Sequence, residues 1–381
     1  MFLYQKRNQY FAQVAGGFEE LAEAELQQLG AKEIKAAYRG FHFEADPATL
    51  YRINYTSRLL IRVLAPLMTF DCHSDKYLHL TAMKIDWSQF MSTSETFAVN
   101  AVTSNTPSLK HSQYAALKVK DAVCDFFREK TGERPSVDVQ NPDVGIHLFV
   151  RDNRATISID TSGGSLHKRG YRTASVEAPL AETLAAAIIK LSGWDGERPL
   201  LDPMSGSGTL LCEAAMSYCR IPAGHLRPKW GFECLPDFDS DIWIKVKQAA
   251  DSAIRPLPAD LLIAGDLDPT AARATRRNLN RLPGCKNAFT CAPGDFHDIE
   301  KLENTTIVVN PPYGVRLGSR DSAELLLKEF GDFLKQRCTG CTAYVYAGDR
   351  QLLKKVGLKP EWKKELNNGG LEGILGKIEL Y

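Results

Sequence analysis

The run RPLLDPMSGSG, Arg198 to Gly208, decides how the second half of this 381-residue chain folds. A short apolar strand signal ends at Asp202-Pro203, passes through a Gly-rich loop and enters TLLCEAAMSYC, which reads as a helix from Thr209. Strand, glycine loop and helix form the opening unit of a doubly wound sheet. The alternation continues downstream. ADLLIAGDLD is a strand and PTAARATRRNLNRL a helix. AFTCAPGDF and TTIVVNPP are strands, SAELLLKEFGDFLKQR a helix, and CTAYVYAGD and GILGKIELY strands. The pattern predicts an α/β fold with a mostly parallel sheet covered on both faces. Ligands on such sheets sit at the carboxyl ends of the strands, where the unusual loops of this chain fall.

Toward the N-terminus the pattern differs. QYFAQVAG reads as a strand, GFEELAEAELQQLG as a helix with a Gly stop, KEIKAAYRGFHFEA as renewed alternation, and DPATLYRINYTSRLL as a helix opened by Asp-Pro. That order is ferredoxin-like. From Ile61 the chain reads as IRVLAPLMTF (strand), SDKYLHLTAMKI (helix), TFAVNAVTS (strand) and SQYAALKVKDAVCDFFREKTG (amphipathic helix). SVDVQNP, VGIHLFVRDN and RATISIDTSGG follow as three short strands. The chain shows no internal repeat and no low-complexity tract.

The bulk numbers narrow the function classes. At 44% AVILMFWYC and 24% charged, the chain has a globular composition. No apolar run reaches membrane-spanning length and the start lacks a signal-peptide core, so a cytoplasmic protein is expected. Nine scattered cysteines are no disulfide framework, and the single Cys338-x-x-Cys341 has no second pair at zinc spacing, so no metal is expected. A net charge of +1 leaves nucleic-acid binding to a local basic face. His167 to Arg172 and Arg227 to Trp230 mix basic and aromatic residues, and either run also reads as a solvated turn.

The loops carry the chemistry. In Asp202-Pro203-Met204-Ser205-Gly206-Ser207-Gly208-Thr209, the glycines let backbone approach a ligand closely. Leu211 stands where a dinucleotide fingerprint needs glycine, and no P-loop Gly-Lys follows. Asp202 repels a phosphate and attracts an ammonium group. Asp266, at the next strand end, suits a ribose diol; Asp268, ahead of Pro269, doubles as a helix N-cap. Asp295 can accept from an adenine amino group, with Phe296 to cover the ring. Together these describe a pocket for a nucleoside with a cationic amino-acid tail, which S-adenosylmethionine satisfies better than NAD or ATP.

Asn310-Pro311-Pro312-Tyr313 ends the fourth of these strands. An exocyclic base amine is a poor nucleophile because its lone pair is delocalised. The Asn310 amide oxygen and the Pro311 carbonyl can both accept from it, the prolines hold them rigid, and Tyr313 can stack on the base.

At these residues the chain resembles the class I S-adenosylmethionine-dependent methyltransferases of the amino-methylating group. HKRGYR followed by APLAETLAAAII, the DPMSGSGTLLCEAA loop, and IPAGHLRPKWGFECLPDFD together resemble the THUMP-domain RNA guanine-N2 methyltransferases of the RlmL type, which act on large-subunit ribosomal RNA. The resemblance covers essentially the whole chain. It implies a ferredoxin-like domain over 1–60, a THUMP domain over 61–164, a linker and helix over 165–195 and a Rossmann-like catalytic domain over 196–381. It places Glu182 and Thr183 in the stretch closing over the methionine end of the cofactor. It makes RNA the partner, ribosomal RNA first and transfer RNA as the alternative. Lys110, His111, Lys118, Lys120, Lys168, Arg169 and Arg172 are the candidate phosphate contacts. DNA adenine or protein glutamine methylation, and a non-catalytic RNA-binding factor, are the rivals. The long two-enzyme fusions of the family continue past the point where this chain stops.

Overall fold

A computed structural model describes residues 1–106, 109, 111–173, 180–312, 320–368 and 371–381. Eight strands build a first sheet: β1 (Gln9–Val14), β2 (Lys32–Ala37), β3 (Gly40–Glu44), β4 (Leu60–Asp71), β5 (Thr96–Ser104), β6 (Ser136–Val137), β7 (Val144–Arg151) and β8 (Arg154–Asp160). Their order is β2-β3-β1-β4-β8-β7-β5-β6. The twelve-residue β4 pairs antiparallel with β1 on one side and β8 on the other, so the segments before and after it share one sheet. Helices α1 (Glu19–Gln28), α2 (Pro47–Thr56), α3 (Asp75–Ala82) and α4 (Ser112–Thr131) accompany it. The Asp46 carboxylate accepts from Thr49 N at 2.7 Å and caps α2 ahead of Pro47, as the Asp-Pro signal predicts.

Alternation gives this sheet two unlike faces. Tyr10, Ala12 and Val14 of β1 and Ile146, Leu148 and Val150 of β7 are buried in the main core. Their neighbours Phe11, Gln13 and Phe149 are only partly buried, and Arg151 is exposed.

The C-terminal half follows as α5 (Glu182–Ser192), β9 (Leu200–Asp202), α6 (Thr209–Tyr218), α7 (Ser240–Ser252), β10 (Leu262–Asp266), α8 (Pro269–Asn280), β11 (Thr290–Pro293), β12 (Leu302–Glu303), β13 (Thr306–Val309), α9 (Arg320–Arg337), β14 (Cys338–Thr339), β15 (Thr342–Ala347), α10 (Arg350–Lys355), β16 (Trp362–Asn368) and β17 (Leu371–Glu379). Its seven-stranded sheet runs β11-β10-β9-β13-β15-β17-β16. The first five strands are parallel, and β17 is antiparallel to both β15 and β16. β9 and β13 are fully buried, as continuous apolar strands between two helix layers should be. Ile307 and Val309 face a core with Leu327, Phe330 and Leu353 from α9 and α10, whereas Val308 and Leu200 belong to the core of α5 and α6. The sheet order reverses between β9 and β13, which fixes the switch-point crevice outside their carboxyl ends.

Two kinds of contact join the halves. Tyr51 and Tyr55 of α2 pack on Phe232 and Trp243, at ring-centroid distances of 4.6 and 5.2 Å. The Arg58 guanidinium donates to the Met216 and Ile221 carbonyls at 2.6 Å each. The Arg227-to-Trp230 run lies at this junction. Arg227 donates to the Ser165 and Ser162 carbonyls at 2.8 and 2.7 Å, and Lys229 pairs with Asp143. That run is an interdomain bracket, not a solvated turn.

Candidate active site

Parallel register sets the motif loops side by side. Asp202 pairs with Ala264, and Asp266 with Pro293. The Gly-rich loop then folds onto the β10 end: Ser205 N donates to the Gly265 carbonyl at 2.9 Å, and Gly208 N to the Ser205 carbonyl at 2.7 Å. Gly206 and Gly208 have φ of 56° and 75°, the left-handed region. A Cβ on Gly208 would lie 2.8 Å from the Thr275 methyl, so both conformation and space demand glycine there. The Asp266 carboxylate accepts from Gly206 N at 2.7 Å and from Asp268 N at 2.9 Å. These bonds fix the plane of the carboxylate. Asp268 caps α8 through Thr270 N at 2.8 Å, its helix-capping reading.

Asp202 is 2% exposed, and its carboxylate accepts from Met204 N at 3.2 Å. Burial, with the nearby Asp266 charge adding to it, pushes its carboxyl well above the usual range. A cationic neighbour is what would let it ionise. Pro203, Ser205, Ser207 and Thr209 are buried around it.

The stretch before α5 faces inward. The Arg172 guanidinium lies 3.1 Å from the Glu182 carboxylate and donates to Thr209 Oγ1 and the Leu180 carbonyl at 3.0 Å each. Thr173 N donates to the Asn278 amide oxygen at 3.1 Å, and Asn278 Nδ2 donates in turn to the Ser207 carbonyl at 2.9 Å. Asn278 and Thr275 are thus wall residues that the sequence reading missed; α8 amphipathicity alone does not mark them. Thr183 is buried in the first turn of α5, and burial raises the Glu182 carboxyl against the pull of Arg172.

Arg169 requires correction. It is 1% exposed and cannot meet a phosphate at the surface. Its guanidinium pairs with Glu213 of α6 at 3.3 Å and donates to the Leu166 and Arg58 carbonyls, while the Tyr171 hydroxyl donates to Glu213 at 3.1 Å. Arg172 is likewise held inside by Glu182 and Thr209. Of the other cations, Lys168 and His111 are exposed and Lys110 lies outside the described residues. Lys118 is 3.6 Å from Asp75 and Lys120 2.5 Å from Asp121, so each already faces an acid.

Asp295 accepts from His297 N at 3.0 Å and from His297 Nδ1 at 2.7 Å. Burial raises its carboxyl, but the His297 bonds outweigh this and hold it below the usual range. Phe296 also departs from expectation. It is 6% exposed, with Phe330 and Phe333 each 5.5 Å away between centroids, so its ring is committed to the α9 core rather than to covering a base. The Cys338-x-x-Cys341 thiols are buried and donate to backbone carbonyls of Phe333 and Leu302. Burial pushes Cys338 up to about 12. Among the described residues no cluster of three or more His, Cys, Asp or Glu could hold a metal ion, and no helix is long and apolar enough to cross a membrane.

The end of β13 supplies the sharpest observation. The Asn310 Oδ1 atom is buried and has no hydrogen-bond partner among the described residues. An orphaned buried acceptor costs about 1–3 kcal/mol. Pro311 is buried and Pro312 half-buried after it; Tyr313 lies outside the described residues.

Comparison with known proteins agrees with this geometry. Residues 169–377 match the RMKL-like methyltransferase domain model. The chain belongs to that family. Residues 75–160 match the THUMP domain, and 9–64 the RlmL ferredoxin-like domain. A Synechocystis sp. protein provisionally named RNA methyltransferase slr0064 is 39% identical over 381 residues, 98% of this chain and 97% of its own. The ribosomal RNA large subunit methyltransferase K/L of Vibrio parahaemolyticus is 39% identical over 370 residues, 96% of this chain but 52% of that enzyme. The chain thus spans about half the length of the K/L enzymes it matches. The solved structure of SMU.472, provisionally named a methyltransferase and complexed with SAH, superposes with a TM-score of 0.81 at 26% identity over 98% of both chains. S-adenosylmethionine is the cofactor of this methyltransferase fold. The glycine cradle, the buried Asp202 and the carboxylate of Asp266 fit it: backbone without side chains, an anion for a cation, and acceptors for a diol.

Proposed function

We propose that this protein transfers a methyl group to the exocyclic N2 amine of a guanine in RNA, with 23S large-subunit ribosomal RNA as the substrate. When bound, S-adenosylmethionine supplies an electrophilic methyl group on a sulfonium. The chain supplies position and electrostatics. Asp202 and Glu182, with Ser205 to Thr209 and Thr183 around them, would face the amino-acid end, Asp266 the ribose and Asp295 the adenine amine. The observation that carries the reading is the unpartnered Asn310 oxygen at the switch point. A guanine N2 amine brings two N–H donors. Asn310 Oδ1 would take one and the Pro311 carbonyl the other. Both bonds would draw electron density onto the nitrogen and hold it in one orientation.

The RNA substrate rests on the THUMP match and on the names of the relatives. We place the ferredoxin-like domain at 1–60, the THUMP domain at 61–164 and the catalytic domain at 196–381, joined by 165–195. A target base must leave its stack to reach a crevice of this kind. Ribosomal RNA as substrate places the reaction in the cytoplasm.

The test is methyl transfer from labelled cofactor to total RNA of a strain lacking the gene, with nucleoside analysis after separating ribosomal from transfer RNA. N2-methylguanosine in large-subunit RNA is the expected product. The same nucleoside in transfer RNA alone would replace the target. No transfer to any RNA, with cofactor still bound, would overturn the reading.

A further inference from the structure

The open face of the first sheet carries a feature that the motif analysis did not contain. Gln13 on β1 and His147 on β7 stand three strand steps apart, about 14 Å in a flat sheet. Yet Gln13 Nε2 lies 3.1 Å from His147 Nε2, so the sheet curls into a trough on this face. At its rim the β2–β3 tip, Tyr38-Arg39, meets the β7–β8 hairpin. The Tyr38 ring lies 6.3 Å from Phe149 at 26° between planes, and the Arg151 and Arg39 guanidiniums lie 4.7 and 5.5 Å from its centroid. Tyr38 nevertheless stays 43% exposed.

The charges there are not settled internally. Arg151 stands directly opposite Arg154 in the antiparallel ladder, a like-charge pairing that costs stability. Arg154 and Arg39 have no ion-pair partner among the described residues. The acids of this rim are Asp152, 3.3 Å from Arg151 and also holding the Asn105 amide, and Asp71, opposite Arg154. Three guanidiniums therefore meet two carboxylates around an exposed ring. A chain that alternates phosphates with planar bases satisfies both features, because guanidiniums take phosphates and an exposed tyrosine takes a base face.

We propose that this rim is an RNA-docking surface, with Tyr38 stacking an unpaired base and Arg39, Arg151 and Arg154 holding the flanking phosphates. The proposal rests on RNA being the substrate. It puts RNA contacts on the sheet face rather than on α4, where Lys118 and Lys120 already face acids.

The test uses the full chain with two variants, Arg39→Glu/Arg154→Glu and Tyr38→Ala, and deproteinised large-subunit RNA as probe. Each should raise the KM for RNA roughly tenfold or more while SAH affinity and kcat stay within about twofold. In the double variant the slope of log affinity against log salt should flatten by about 1.5, the loss expected for two single-strand phosphate contacts. Tyr38→Phe should restore the Tyr38→Ala defect. Unchanged KM and salt slope, with wild type active on RNA, would overturn the docking surface alone. Loss confined to assembled ribosomal particles, with naked RNA bound normally, would assign the rim to a protein partner and also overturn it. A wild type that neither binds nor methylates RNA would instead bring down the functional reading.

Discussion

The two sheets of this protein expose their chemistry in opposite ways. The parallel catalytic sheet is buried on both faces at β9 and β13, so its ligand-facing groups are confined to strand ends, where backbone and short side chains hold them tightly. The mixed first sheet buries one face and the centre of the other, His147 included, but the rim of that second face presents long side chains, Arg39, Arg151 and Tyr38, that can adapt to a flexible partner. Catalysis by positioning suits the first arrangement and recognition of a deformable polyanion suits the second.

If that contrast holds, damage at a strand end should cost turnover and spare the rest. Asn310→Ala is the severest case: kcat should fall about 100- to 1000-fold, the range for losing one positioned hydrogen-bonding group, with SAH affinity nearly unchanged. Single-turnover methylation checks this. Nearly full activity would mean that the strand end only shapes the loop.

The joint between the sheets gives the next largest effect. Glu213 on α6 is fully buried between Arg169, at 3.3 Å, and Arg58, at 3.9 Å. Glu213→Gln keeps the shape and a partner for Tyr171, but takes the counter-charge from one buried and one partly buried guanidinium. The expected loss is about 3 kcal/mol in urea unfolding. A loss below about 1 kcal/mol would show that the aromatic packing of α2 joins the halves without help.

The smallest effect belongs to the trough and depends on pH. His147 is 4% exposed, and burial, with Arg62 nearby, lowers its pKa to about 4. A base held below its unfolded value of 6.5 binds its proton more readily when unfolded. Stability is therefore present above pH 6.5 and is lost as pH falls from 6.5 through about 4. The loss across that window is on the order of 2 kcal/mol. Urea midpoints measured from pH 7.5 to 4.5 should show it, and His147→Gln should flatten it.

These effects also separate what the sequence discloses from what it hides. Asp202, Asp266 and Asn310 were legible because each sits beside glycine or proline at the end of an apolar run, so composition and position coincide. Arg169 was not. HKRGYR looks like a surface string, and its buried partner, Glu213, lies on a helix dozens of residues later. Phe296 read as a pocket wall because nothing local announces Phe330 and Phe333. Helix α7 went unread, although Asp239 caps it. β16, WKKELNN, is a polar edge strand with little apolar pattern to find. The Tyr38 rim escaped for a geometric reason: sheet curl, invisible in any local period, brings two distant hairpins together.

Strand β4 has a consequence for how the molecule is made. It is paired on one side by β1, synthesised before it, and on the other by β8, synthesised long after. During N-to-C synthesis the early hairpin and β4 can associate at once, but one edge of β4 then stands open until the whole THUMP segment has left the ribosome. The first sheet is therefore completed late, and a nascent chain halted between β4 and β8 is the species that a chaperone, or another copy of itself, would capture.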